Sequence, residues 1–118
     1  MRIFIIGIVA LLCVQGVASA HASAVRAEPP VGSEIHKPPT EVRVWFNVGI
    51  DPHLSKIEVF DANGKQVDKK DSHLDGKSTR QLVVSLPTLP PGTYKVHWEA
   101  VSADTHRTQN DFKFVLKR

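Results

Sequence analysis

Asp104-Thr105-His106 sets a carboxylate and an imidazole two positions apart. In an extended segment, residues at that spacing project to one face. By itself the pair is a common surface feature. Its weight changes with what lies at the other end of the chain. Ala18-Ser19-Ala20 has the small residues of a signal-peptidase site, and a cut after Ala20 makes His21 the N-terminal residue. An N-terminal histidine offers two ligands, its free α-amine and its ring Nδ1. His106 adds another nitrogen and Asp104 an oxygen. A near-planar set of nitrogens with one oxygen suits tetragonal Cu(II), which also stands highest in affinity among the first-row divalent ions. Zinc takes the same groups but prefers a tetrahedron. Amines and imidazoles ordinarily titrate near ~7.8 and ~6.5, so protons compete for such a site and its affinity is expected to fall as pH drops.

The site therefore depends on the leader. Arg2 supplies a positive start, and Ile3 to Val14 is an apolar run broken only by Gly7. This is the grammar of a secretory signal peptide over residues 1–20. The run is short for a membrane span, which takes about 20 apolar residues. A second frame, Ala20-His21-Ala22, would discard His21. The distance of Ala18 and Ala20 from the apolar run favours the cut after Ala20. The single cysteine, Cys13, lies in the leader, and Leu12 before it is wrong for a lipid-anchor box. Residues 21–118 then have no thiol, which excludes disulfides, thiolate zinc sites and iron–sulfur clusters. Any metal must be held by imidazole, carboxylate or amine.

Residues 21–118 fit one domain with a core of its own. The whole chain has 15 basic and 12 acidic residues, and only Arg2 lies in the leader, so the remainder is close to neutral. Its charges are scattered, with no nucleic-acid surface. Short alternating runs predict strands at Ala24–Ala27, Glu41–Phe46, Lys56–Asp61, Gln81–Leu86, Thr93–Val101 and Asp111–Leu116. Asn63-Gly64 predicts a hairpin with a short return strand over Lys65–Val67. Asp68–Ser78 reads as an exposed loop, and Pro91-Gly92 as the centre of a type II turn. About seven strands without helices predict an all-β fold, an antiparallel Greek-key barrel or Ig-like sandwich. Phe46, Phe60, Tyr94, Trp98, Phe112 and Phe114 are the expected core.

The stretch Gly92-Thr93-Tyr94-Lys95-Val96-His97-Trp98, leading into Ser102-Ala103-Asp104-Thr105-His106, resembles the copper-resistance protein C (CopC) family of periplasmic copper-binding proteins. The resemblance extends from His21-Ala22 through Pro29-Pro30-Val31-Gly32-Ser33 and Pro39–Phe46. It implies a Greek-key β-barrel that binds one Cu(II) per mature chain through the groups matching His21, Asp104 and His106. It further implies a monomeric periplasmic carrier or buffer in copper homeostasis and resistance, with an inner-membrane transporter of the CopD type as transfer partner. Three departures narrow this. Val48 stands where members often have an acidic residue, with Asn47 before it and Asp51 nearby. The only methionine is Met1, so the thioether Cu(I) site of methionine-rich members is absent. Asn110 replaces a frequent Gly, in a turn where Asn tolerates a left-handed backbone.

His36, His53, His73 and His97 share no chelating spacing and read as surface residues, with His97 on the outer side of its strand. Two other functions compete. Copper oxygenases use a similar N-terminal histidine, but they need an open position that Asp104 would fill, so no enzyme is expected. A metal-free β-sandwich interaction module explains the fold but not the coincidence of His21 with the cleavage site.

Overall fold

A computed structural model describes residues 21–118, so the leader and its cut lie outside the described residues. Eight strands follow in order: β1 (Ala24–Glu28), β2 (Glu34–Ile35), β3 (Glu41–Phe46), β4 (Lys56–Phe60), β5 (His73–Leu74), β6 (Gln81–Ser85), β7 (Gly92–Val101) and β8 (Arg107–Leu116). They form two four-stranded sheets, β1-β3-β6-β5 and β2-β8-β7-β4. The sheets stack as a sandwich and do not close into a barrel. Every strand pair is antiparallel except β2 with β8. Only β5–β6 and β7–β8 are neighbours in both chain and sheet. The other connections cross between sheets, as a Greek-key layout requires.

The alternation of β3 turns Val42, Val44 and Phe46 inward, and that of β7 turns in Tyr94, Val96, Trp98 and Ala100. Phe46 and Trp98 meet edge to face across the two sheets, with centroids 5.1 Å apart. Phe60 departs from expectation. The inward residues of β4 are Ile57 and Val59, so Phe60 falls on the outer side, half-buried under the Lys95 ammonium. Trp45 is likewise outside, with the Arg26 guanidinium 4.3 Å from its ring centroid.

The expected return strand at Lys65–Val67 does not form. Asp61 Oδ1 accepts from the amides of Asn63 and Lys65, and Gly64 takes φ +82°, which makes the turn. The Asp61 amide donates to the Lys65 carbonyl, and beyond it a Phe60–Gln66 bridge and the Val67 amide to the Val59 carbonyl continue the pairing. The β4 edge is finished by side chains instead. Asp68 Oδ2 accepts from the Val59 amide, while Ser72 Oγ accepts from the Ile57 amide and donates to the Ile57 carbonyl. The segment read as loop over Asp68–Ser78 also holds β5.

Two turn readings are corrected. Gly92 opens β7 and is not among the residues with positive φ, so no type II turn is centred there. Asn110 needs no left-handed backbone, because it pairs with Trp98 inside β8. Strand β8 begins at Arg107, earlier than the expected Asp111. Arg107-Thr108-Gln109-Asn110 is polar and hides its strand character, but β7 supplies a partner for each residue. The result is a ladder from Gly92–Leu116 to Val101–Arg107, and its tip is the loop Ser102–His106.

Candidate metal centre

The tip loop is built by its own backbone. The Thr105 amide donates to the Ser102 carbonyl at 2.9 Å, and Thr105 sits in the left-handed region at φ +67°. A β-branched residue rarely adopts that conformation. The segment is thus a turn rather than the extended strand that the spacing suggested, yet Asp104 and His106 still converge.

Asp104 divides its two oxygens between support and site. Oδ1 accepts from the Ser102 hydroxyl and from the His106 amide. Oδ2 lies 3.0 Å from His106 Nδ1 and 3.9 Å from His21 Nε2. The Ser102 hydroxyl, followed by His106, holds the Asp104 carboxyl down to a pKa of about 2. Asp104 therefore stays ionised through the range in which imidazoles titrate.

His21 arrives from the far end of the chain. Its ring and that of His106 lie 4.5 Å apart between centroids. One ligand atom each from His21, Asp104 and His106 fall within 4.8 Å of one another, and this is the group of metal-ligating type found among the described residues. Two ligands on one Cu or Zn ion, each about 2.0–2.1 Å away, are separated by no more than about 4 Å. The cluster is therefore slightly wider than a bound set, and closing it takes side-chain rotation. The His21 and His106 side chains are 42% and 65% exposed, so an ion reaches them from solvent without opening the fold. His21 turns Nε2 towards Asp104, so a chelate through its α-amine and Nδ1 takes a rotation of that exposed ring.

The remaining histidines stay apart from this cluster. His36 and His53 are exposed, and His73 bonds through Nδ1 to the Asp71 carbonyl. Asp51 caps the His53 amide. Val48 packs against the core and adds no ligand. His97 was underrated by sequence. It lies on the outer face of β7, opposite Glu58 and Asp111, with Nδ1 2.6 Å from Asp111 and Nε2 3.1 Å from Glu99. Lys56 and Arg107 bracket Glu58 and Glu99. The two carboxylates grip opposite ring nitrogens and do not converge on one ion.

Burial works against charge on His97, but hydrogen bonds with Asp111 and Glu99 outweigh it and raise its pKa. A raised folded-state pKa adds stability that is complete below the unfolded value and is lost as pH rises through the folded one. His97→Gln is therefore expected to destabilise the apo protein at about pH 5 by on the order of 1 kcal/mol, and hardly at all at about pH 9. Thermal melts at the two pH values check this; equal losses at both would overturn it.

Fold and cluster together define a β-sandwich domain with a His–Asp–His group of metal-ligating type at one end. The family model described as the CopC domain matches residues 24–117. The chain belongs to the CopC family. It is 31% identical over 116 residues to the copper transport protein CutJ of Bacillus subtilis, covering 98% of this chain but only 21% of that protein. It is 29% identical over 112 residues to copper resistance protein C of Pseudomonas syringae pv. tomato, covering 90% and 88% of the two chains. Among solved structures, CopC from Methylosinus trichosporium OB3b superposes with a TM-score of 0.77 at 27% identity, over 82% of this chain and 94% of that one. These relatives are named for copper transport and resistance, and no enzyme family is indicated.

Proposed function

We propose that residues 1–20 are removed on export and that residues 21–118 act in the periplasm as a monomeric carrier or buffer for one Cu(II) ion. His21, through its α-amine and imidazole, Asp104 and His106 are the ligands. The observation that carries this reading is the convergence of one ligand atom from each of those three residues, distant in the chain, within 4.8 Å. The donor set agrees with the metal, since imidazole, amine and carboxylate suit Cu(II) while the soft ligands of Cu(I) are missing. The ion is cargo, and the chain's part is to capture it and release it. Ser102 fixes the Asp104 carboxylate, and the exposed imidazoles leave the ion within reach of a receiving protein. A longer relative named for copper transport supports an inner-membrane transporter of the CopD type as that receiver.

Intact-mass measurement of the exported protein, with and without one equivalent of Cu(II), tests the terminus and the stoichiometry together. The expected species begins at His21 and gains one copper. Because Asp104 stays ionised, protons compete at the nitrogens alone. Cu(II) affinity is accordingly expected to be roughly 100-fold or more weaker at about pH 5 than at about pH 8. A chain that starts elsewhere, or affinity equal at both pH values, would sink the reading.

A further inference from the structure

We infer that Asn47 and Thr108 are positioning residues for the N-terminal copper ligand, because they pin the backbone of Ala22-Ser23 from both sheets at once. The inference rests on the copper reading above. The Ser23 amide donates to Asn47 Oδ1 at 2.7 Å, and the Asn47 amide donates to the Ser23 carbonyl at 3.0 Å. The Thr108 hydroxyl donates to the Ala22 carbonyl at 3.0 Å. Asn47 directly follows β3 in one sheet, and Thr108 lies on β8 in the other. Between them the Ala22 side chain is buried in the core, 2% exposed.

The need for such a brace is visible in the register. Strand β1 pairs with β3 at Ala24–Phe46, but the pairing shifts between Ala24 and Arg26. The ladder is thus irregular at the end nearest His21. A chain terminus held only by that pairing frays. The two-point clasp of Asn47 on Ser23 extends the pairing past the irregularity, and Thr108 fixes the next carbonyl outward. His21 is then left with little beyond its own side-chain torsions to reach Asp104 and His106. Asn47 is exposed and lies outside the hydrophobic core, so its side chain serves the terminus more than the fold. Outer partners that orient a ligand commonly change metal affinity by 10- to 100-fold.

The test uses the exported protein beginning at His21, with Asn47→Ala, Thr108→Val, the double variant, and Thr108→Ser as the conservative rescue. Each single variant is expected to weaken Cu(II) by about 10-fold and the double variant by about 100-fold in a competition titration. The copper EPR spectrum is expected to split from one species into several. Thr108→Ser restores both readouts, and the apo Tm of Asn47→Ala stays at the wild-type value. In the apo protein the Ser23 amide is protected from hydrogen exchange, and Asn47→Ala abolishes the protection. A double variant with wild-type affinity and a single EPR species overturns the inference, as does rapid Ser23 exchange in the wild type. A wild-type protein that holds no Cu(II) while Ser23 stays protected overturns the copper reading instead. The brace is then a structural clamp and its assignment as a ligand-positioning device falls with the ligand.

Discussion

One extra residue in front of His21 is expected to weaken Cu(II) binding by about two orders of magnitude, near 2.7 kcal/mol. The extension turns the α-amine into a peptide nitrogen and removes one ligand of the proposed chelate. It leaves the His21 imidazole, Asp104 and His106 in the chain and touches no core residue. Competition titration against a chelator of known affinity reads the change, and the apo melting temperature serves as the control. Equal affinity with and without the extension would show that the terminus is no ligand. The comparison separates this site from an ordinary pair of surface histidines, because two imidazoles and a carboxylate survive in both proteins.

The largest expected effect on stability lies at Phe114. Its side chain is fully buried, and its ring stacks on Tyr94 with centroids 5.4 Å apart. It sits on β8, between β2 and β7. Phe114→Ala removes the ring and leaves a cavity that neighbours in two packed sheets cannot fill, at an expected cost of about 3–5 kcal/mol. That is a large part of the roughly 5–15 kcal/mol that ordinary domains possess. Urea unfolding of the apo protein measures it, and a loss below about 1 kcal/mol would mean that the core relaxes around the gap. The same variant is expected to regain part of its stability when Cu(II) is added, because binding to the folded state alone shifts the unfolding equilibrium.

The sequence was most informative where a local pattern decides structure. The alternation in β3 and β7 marks their inward faces, and Phe46, Tyr94 and Trp98 on those faces join the core as expected, whereas Phe60 on β4 does not. Phe60 shares its side of β4 with Lys56 and Glu58, opposite Ile57 and Val59, so the period of two places it outside despite its aromatic ring. Strands β2 and β5 span two residues each and depend on β8 and β6 for their existence. Their own residues carry no periodic signal. The meeting of His21 with Asp104 and His106 was legible for chemical reasons, since a histidine near the start of the chain and an Asp-x-His pair offer complementary ligand atoms. Its geometry was less so. Convergence comes from a left-handed Thr105 and a hydroxyl at Ser102, neither of which the Asp-x-His spacing indicates. The His97 ion-pair group was missed because its partners come together only through the registers of β4 and β8 with β7.

Strand β4 ends its sheet, and an open strand end-face is where copies of a protein join into fibres. Asp68 and Ser72 already occupy the outward amides of Val59 and Ile57. A second molecule that tried to add a strand there would have to evict a buried carboxylate and a hydroxyl before gaining any bond. Self-templated aggregation is thereby discouraged at this margin of the domain, by the protein's own loop and without a chaperone's help.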